Sequence, residues 1–371
     1  MAVQSEECQQ QPLFAAHQNG YHTYRIPALV VSGRGTILAF CEGRKYGPGD
    51  TGEIHLLLRR SFDNGRTWQG AQVVVSEKDT TCGNPCPVVD RRTGTILLAF
   101  CKNPRIEGTT DAIAEGKGSR TVWITRSGDD GASWSAPDEI TAHVRNADER
   151  WTWYATGPGH GIQLRSGRLI VPCDHIVAVN LRADDPNYGH VIYSDDGGKS
   201  WNLGGTVPQD GNNENQVVET ADGAIYMNSR NVKEVGLRAC AWSRDGGLTF
   251  GARQVVPGLI EPTLWSGCQA SLVRYSLASP QGRNRVLFAN PACKENERKN
   301  MTVRLSYDEC RAWNAGRALH AGPAAYSDLA VAPDMDILCL YERGEKHPYQ
   351  TLTLARFNLE WLTAGQDGLG R

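Results

Sequence analysis

One eight-residue phrase recurs along the chain and decides its fold. It first reads Ser61-Phe-Asp-Asn-Gly-Arg-Thr-Trp68. It returns as Ser127-Gly-Asp-Asp-Gly-Ala-Ser-Trp134, Ser194-Asp-Asp-Gly-Gly-Lys-Ser-Trp201 and Ser243-Arg-Asp-Gly-Gly-Leu-Thr-Phe250, and in a degraded form without glycine as Ser306-Tyr-Asp-Glu-Cys-Arg-Ala-Trp313. The leading serines are 66, 67, 49 and 63 residues apart. Such a period indicates one repeated supersecondary unit rather than several unrelated domains.

Each copy has the chemistry of a tight turn between two strands. The aspartate can accept hydrogen bonds from nearby backbone N–H groups, and the glycine supplies a positive φ. The closing tryptophan or phenylalanine can pack between neighbouring sheets. Short β-rich runs bounded by Gly, Asn, Asp and Pro surround the copies, which is typical of antiparallel strands.

The period predicts an all-β fold, a six-bladed β-propeller that forms a single domain over residues 1–371. About 60 residues suit a four-stranded antiparallel blade, so that a chain of 371 residues holds about six. A stack of β-sandwiches is the alternative, but its turns would recur at about 100 residues. Only residues 358–362 are expected to form a helical turn.

Composition and charge exclude several classes of function. Hydrophobic residues make up 40% and charged residues 22% of the chain, with a net charge of −2. The sequence lacks the basic stripe that would indicate a nucleic-acid partner. It also has no apolar run of the ~18–20 residues that a membrane span needs. The first dozen residues lack the features of a signal peptide, so the chain is expected to be cytoplasmic, unless a secretory precursor was trimmed.

The eleven cysteines predict neither a metal site nor a disulfide framework. Only Cys82 and Cys86 are close in sequence, and no second pair stands at zinc-ligand spacing. Most of the thiols are expected to be reduced and buried, while disulfides remain an open alternative. No metal or organic cofactor is expected.

Three arginines interrupt strand-like runs that otherwise predict burial. Arg25 lies in Tyr24-Arg-Ile-Pro27, and Arg238 and Arg304 each lie in a strand that leads into a repeat turn. A buried arginine without a carboxylate partner is costly. On the inner strands of different blades, the three could converge at the propeller axis. Converging guanidinium groups repel one another unless an anion lies among them, and their planar forks suit a carboxylate or a phosphate.

The Tyr-Arg-Ile-Pro motif, the repeated boxes and the arginines before the later boxes resemble the sialidases (exo-α-neuraminidases) of the six-bladed type. The resemblance runs from Tyr24 to about Glu342 and is closest to the cellular sialidases of animals and their bacterial relatives. It implies hydrolysis of terminal sialic acids from oligosaccharides, glycoproteins or glycolipids, through a tyrosine nucleophile and without a cofactor.

The resemblance also implies roles for individual residues. Arg25, Arg238 and Arg304 would bind the sialic acid carboxylate, with Arg230 as the rival of Arg238. Asp50 would be the acid/base, and Tyr326 the nucleophile. Glu219 would be the base that activates the tyrosine, with Glu214 as its nearby competitor. Secondary pocket residues would be Arg44, Asn84 and Gln269.

A tyrosine nucleophile suits this substrate, because the anomeric carbon of sialic acid bears a carboxylate and a carboxylate nucleophile would approach it against like charge. Three alternatives stay open: a carbohydrate-binding propeller without turnover, a hydrolase of a deaminated nonulosonic acid, and a trans-sialidase. The segment Cys173-Asp-His-Ile176 departs from the tyrosines that relatives carry there, which opens the question of the substrate's C5 and glycerol substituents. The aromatic residues Trp151, Trp153 and Tyr154 could supply contacts instead.

Overall fold

The structure is a computed structural model that describes residues 7–105, 113, 115–118, 120–182, 184–234, 236–278, 282–313 and 315–369. Within these residues the chain is almost entirely antiparallel β-sheet. After a first strand, β1 (Gln9–Ala15), the sheets follow one another as blades around a common axis.

Blades one to three follow in chain order. Blade one comprises β2 (Thr23–Val31), β3 (Ile37–Arg44), β4 (Ile54–Ser61) and β5 (Gln72–Val75). Blade two comprises β6 (Thr80–Val89), β7 (Ile96–Pro104), β8 (Thr121–Ser127) and β9 (Asp138–Glu139), followed by the short helix α1 (Thr141–Val144). In blade three, β10 (Trp151–Thr156) and β11 (Ile162–Gln163) both pair with β12 (Leu169–Val177), which continues to β13 (Asn187–Ser194) and β14 (Asn202–Thr206).

Blades four to six complete the circle. Blade four comprises β15 (Asn212–Glu219), β16 (Ile225–Asn231), β17 (Leu237–Ser243) and β18 (Gln254–Ile260). Blade five comprises β19 (Ser271–Ser276), β20 (Arg285–Pro291), β21 (Lys299–Ser306) and the first half of β22 (Ala315–Val331). The second half of β22, β23 (Ile337–Arg343), β24 (Thr351–Phe357) and the N-terminal β1 form blade six. A 3-10 turn (Pro348–Gln350) precedes β24, and the helix α2 (Leu359–Leu362) follows it.

This arrangement confirms the predicted β-propeller. The first strand of each blade lies nearest the axis, since β2 contacts both β6 and β22, and β19 contacts both β15 and β22. The chain ends of the propeller meet in blade six, where β1 pairs with β24. The predicted helical turn is also present, because the Asn358 side chain accepts the Trp361 N–H and begins α2.

The repeated phrase is the turn that follows the third strand of blades one to five. In each intact copy the aspartate accepts the serine hydroxyl two residues earlier and the backbone N–H and hydroxyl four residues later. Gly65 adopts φ of 83°, as the turn requires. In the degraded copy Glu309 and Cys310 adopt φ of 61° and 69° without glycine, so the turn survives with a strained backbone.

The hydrophobic core consists of separate clusters at the seams between blades. The closing aromatic residue of each phrase packs into the seam that precedes its own blade: Trp68, Trp134, Trp201, Phe250 and Trp313. Ten of the eleven cysteines are buried, and the structure pairs none of them in a disulfide. None of the helices in the described part of the chain is long and apolar enough to cross a membrane.

Candidate active site

A tyrosine and a glutamate from different blades meet near the axis. Tyr326 lies on β22 and is only 6% exposed, and its hydroxyl donates a short hydrogen bond to Oε1 of Glu214 on β15. Burial raises the pKa of Tyr326 well above its usual value, and the Glu214 carboxylate adds to the effect. The phenol is therefore neutral in this state, with a carboxylate placed to take its proton.

Three guanidinium groups surround the same tyrosine. Arg25 lies over the Tyr326 ring with its Cζ at 4.9 Å from the centroid, and Arg298 lies at 5.4 Å. Nη1 of Arg230 is 3.5 Å from the tyrosine hydroxyl. All three cations oppose the rise in the pKa of Tyr326. The three side chains come from blade one, blade four and the loop before β21, so only the closed propeller brings them together.

Carboxylates and carbonyls of the surrounding chain orient these arginines. Glu342 on β23 holds Arg25 through contacts of 3.0 Å and 3.4 Å. Glu214 holds Arg230 at 3.0 Å. Arg298 instead donates to the Gly267 carbonyl at 2.9 Å, and among the described residues no carboxylate lies within ion-pair distance of it. A ligand carboxylate would supply the missing counter-charge.

Asp50 lies at the open edge of this cluster, in the loop between β3 and β4. Its Oδ1 is 2.6 Å from Arg44 and 3.2 Å from Arg25, while half of its side chain is exposed. Partial burial opposes ionisation, but the guanidinium groups of Arg44 and Arg25 prevail and lower the pKa of Asp50 to about 2. Asp50 is thus a carboxylate near neutral pH in this arrangement. Glu42 fixes Arg44 in turn at 2.6 Å.

The two predicted amide residues have structural partners at the margin of the site. Asn84 donates its backbone N–H to Glu42 at 2.8 Å, and its side-chain oxygen accepts a short hydrogen bond from Arg120. Gln269 binds the backbone N–H and carbonyl of Ser327, each at 3.0 Å, directly beside Tyr326 in the chain. Gln269 therefore supports the strand that carries the tyrosine, with both ends of its amide already occupied.

The structure does not bring Glu219 to the tyrosine. Glu219 is bonded to Arg165 through the backbone N–H at 2.9 Å and through Nε at 3.2 Å. It lies five residues beyond Glu214 on β15, which corresponds to about 16 Å of extended chain. Glu219 therefore stands at the other end of its strand, where it lines a separate pocket of about 340 Å³ with Arg165 and Arg274.

Arg238 and Arg304 also lie apart from the three converging arginines. Arg238 is fully buried on β17 and pairs with Glu261 at 2.8 Å. Arg304 on β21 donates to Asn290 at 3.2 Å, and burial lowers its pKa. Both residues occupy the third strands of their blades, not the inner strands expected from the sequence, and Arg304 lies six residues beyond Arg298 along β21.

Sequence reasoning missed four side chains at or beneath the site: Arg298, Glu342, Arg120 and Asp174. Arg298 lies in the charged segment Lys294-Glu-Asn-Glu-Arg298, and that cluster of charge between two apolar strands is the signal that could have found it. Asp174 is fully buried. Burial raises its pKa well above the usual value, and the nearby Glu214 adds to the effect.

Comparison with known proteins identifies the family. The family described as "BNR repeat-like domain" matches residues 35–339. An exo-alpha-sialidase of Aspergillus fumigatus is 31% identical over 382 residues, covering 94% of this chain and 87% of the relative. The chain belongs to the sialidase family.

Two further sialidases support the assignment. The sialidase of Micromonospora viridifaciens is 34% identical over 367 residues, which cover 95% of this chain but only 54% of that protein. The chain thus spans about half the length of this bacterial relative. A solved structure of a Hadza microbial sialidase superposes with a TM-score of 0.84 at 26% identity and covers 95% of this chain and 69% of that one.

Proposed function

We propose that this protein is an exo-α-sialidase that releases terminal sialic acid from glycans with retention of configuration, using Tyr326 as its nucleophile. The observation that carries the proposal is the hydrogen bond between Tyr326 and Glu214 within a cluster of three arginines. A tyrosine with its own base serves covalent catalysis, which a protein that only binds a sugar does not need. This favours an enzyme over the alternative of a carbohydrate-binding propeller.

Arg25, Arg230 and Arg298 would bind the carboxylate of the substrate. Their planar groups can each donate two N–H bonds, and Arg298 has no carboxylate partner of its own among the described residues. Bound in this way, the carboxylate would hold the anomeric carbon beside the Tyr326 hydroxyl, where Oη can attack it. The arginines would also keep the carboxylate in a fixed orientation while positive charge develops on the sugar ring.

Glu214 would serve as the base in place of Glu219, which the sequence favoured. The phenol must lose a proton to attack, and only Glu214 lies within hydrogen-bonding distance of it among the described carboxylates. The phenol is neutral when the substrate arrives, so it avoids the repulsion that a carboxylate nucleophile would meet. Proton transfer to Glu214 then accompanies bond formation between Oη and the anomeric carbon.

Asp50 would donate the proton to the departing glycosidic oxygen and later deprotonate the attacking water. With a pKa of about 2 it cannot hold that proton in the free enzyme near neutrality. The substrate carboxylate competes for Arg25, one of the cations that lower this pKa. Substrate binding therefore raises the pKa of Asp50 and lets it take up the proton that the reaction consumes.

The substrates proposed are sialylated oligosaccharides, glycoproteins and glycolipids. The choice between an N-acetylated and a deaminated sugar, and between hydrolysis and transfer, can be tested in one assay. Aryl glycosides of both sugars are incubated with the enzyme, with and without lactose as an acceptor, and the first product is followed by NMR. Release of the free α-anomer before mutarotation is the expected result, and an initial β-anomer would contradict retention.

The test of the nucleophile is the variant Tyr326→Phe, assayed on 4-methylumbelliferyl sialoside. We expect turnover to fall at least about 100-fold because the covalent route is lost, while the circular dichroism spectrum and thermal midpoint stay close to wild type. In the wild type, peptide mapping after incubation with 2,3-difluorosialic acid should find the sugar on Tyr326. Near-normal turnover of the variant, or the label on another residue, would remove Tyr326 from this role.

A further inference from the structure

The segment 261–268 presents three successive backbone carbonyls to the arginines of the site. Arg230 donates to the Ser266 carbonyl at 3.1 Å and, through a short contact, to that of Trp265. Arg298 donates to the Gly267 carbonyl at 2.9 Å. Two of the three cations proposed to bind the substrate are therefore oriented by one loop.

The backbone of this loop is strained, so surrounding contacts must hold it. Trp265, Ser266 and Gly267 adopt φ of 50°, 53° and 95°, a run of left-handed conformations. For the two non-glycine residues that conformation costs about 1–2 kcal/mol each. Strain of this kind persists only where the structure around it over-determines the geometry.

The ion pair between Arg238 and Glu261 holds both ends of the loop. Nη1 of Arg238 donates to Glu261 at 2.8 Å and to the Cys268 carbonyl at 2.5 Å, so that one guanidinium joins the first and last residues of the segment. Glu261 also accepts the backbone N–H of Asn231, next to Arg230, at 3.0 Å. A Cβ added at Gly267 would lie 2.8 Å from the Glu261 carboxylate, so the loop packs directly on the pair.

The pair itself is fully buried, and its charges balance each other. Both side chains have 0% exposure. Replacing a buried ion pair with neutral residues is often neutral or favourable for folding, so stability alone does not explain its presence here. The best-attested role of buried polar and ionic groups is to select one local arrangement of the chain over its alternatives.

We propose that Arg238 and Glu261 are positioning residues of the carboxylate-binding site: they fix the loop 261–268, whose carbonyls aim Arg230 and Arg298 at the substrate. The proposal rests on the proposed sialidase function. Arg238 would then act on the substrate carboxylate indirectly, through the loop, whereas the sequence predicted that it binds the carboxylate itself.

The test compares two neutralised ion pairs. Arg238→Gln/Glu261→Gln removes both charges of the pair beneath the loop. The matched control, Arg285→Gln/Asp367→Asn, removes a second buried pair, with contacts of 2.7 Å, that makes no hydrogen bond to the loop or to the three arginines. For each protein the inhibition constants of 2,3-unsaturated sialic acid and of its C1 carboxamide are measured, together with kcat and KM for an aryl sialoside.

We expect the acid to lose affinity at least about tenfold in the Arg238/Glu261 variant, because misplaced donors no longer fit the charged group. The carboxamide should change less than about twofold, and KM should rise more than kcat falls. The control pair should leave the acid-to-carboxamide ratio at its wild-type value. An unchanged ratio in the Arg238/Glu261 variant, or an equal change in the control, overturns the proposal.

Arg238→Lys provides a second variant if the double replacement does not fold. It keeps the buried charge but loses the Nε–H bond to Asn228 and with it the planar group that holds Nη1 between Glu261 and the Cys268 carbonyl, so the ratio should again fall. A folded Arg238→Lys protein with the wild-type ratio overturns the proposal. If the wild type neither cleaves the sialoside nor binds the acid, the proposed function fails instead, and the two failures are thereby distinguished.

Discussion

At the scale of single residues, the two glutamates of β15 offer the sharpest test of the site. Glu214 and Glu219 lie on one strand and differ in their surroundings: Glu214 bonds Tyr326 and Arg230, whereas Glu219 bonds Arg165. A proton can move between the phenol and Glu214 only because the two atoms are in contact. The residue type alone therefore does not show which glutamate acts as the base for Tyr326.

We predict that Glu214→Gln lowers kcat by about 10²–10⁴-fold, the range for loss of a general base. Glu219→Gln should leave kcat within about twofold, because its partners lie at the other end of the strand. Steady-state kinetics on an aryl sialoside measure both. A larger loss in Glu219→Gln than in Glu214→Gln would reverse the assignment.

Asp174 leads to a prediction about stability and pH. Its folded-state pKa is raised well above that of an unfolded aspartate, so the folded protein holds a proton that the unfolded chain releases. This contribution to stability is complete below about pH 4, the unfolded value, and is lost as the pH rises towards the folded pKa.

Asp174→Asn removes the titration and keeps the shape of the side chain. We expect the variant to unfold at higher urea concentration than wild type at pH 7, by about 1–3 kcal/mol in free energy of unfolding, and the difference to shrink towards pH 4. Urea titrations at several pH values provide the measurement. Parallel pH profiles for the two proteins would show that the carboxyl is not kept neutral.

At the scale of elements, the aspartates of the repeated turn have a structural role and lie outside the candidate active site. Asp245 in an intact copy accepts four hydrogen bonds, from Ser243, Leu248 and twice from Thr249. From residues that the structure describes, Asp308 in the degraded copy accepts two, from Ser306 and Ala312. Neither aspartate contacts Tyr326 or the three arginines, so these residues organise the blades without entering the reaction.

We predict that Asp245→Ala destabilises the protein more than Asp308→Ala, by about 1–2 kcal/mol for the two additional hydrogen bonds. Both variants should keep wild-type kcat and KM at a temperature where they are folded. Chemical unfolding compares their stabilities. Equal destabilisation, or a selective loss of activity in the folded Asp245→Ala protein, would contradict this separation.

The element scale also explains where sequence reasoning succeeded and where it did not. The turn phrases and the short β-rich runs between them predicted the strands and the six blades, because turn chemistry is local to a few residues. Arg25, Arg44, Asp50 and Tyr326 were nominated from their motifs, and the structure brings them together. Arg238 and Arg304 were expected on inner strands that converge at the axis, whereas the structure places both in the third strands of their blades, away from the tyrosine.

At the scale of the whole molecule, closure of the ring joins the first and last blades. Strand β1 pairs with β24 in blade six, while Phe14 on β1 packs against Tyr24 of blade one with ring centroids 5.3 Å apart. Tyr24 precedes Arg25, which in turn is held by Glu342 of blade six. The geometry of the site thus depends on the seam at which the ring closes.

We predict that Phe14→Ala lowers the free energy of unfolding by about 3–5 kcal/mol, as for other buried phenylalanines. Val73→Ala serves as control, because Val73 is 50% exposed on an outer strand and should change stability by no more than about 0.5 kcal/mol. Denaturant titrations of both variants give the comparison. A loss in Phe14→Ala no greater than in the control would show that the seam contributes little to stability.

By itself the sequence determined the repeat period, the turns, the propeller and the family, because each of these depends on residues that are close together in the chain. The tertiary structure decided which glutamate faces the tyrosine and which arginines converge on it. Those choices depend on the distance of each strand from the axis and on which end of the strand carries the side chain. Spacing along the chain does not encode either quantity, whereas the closed ring of blades does.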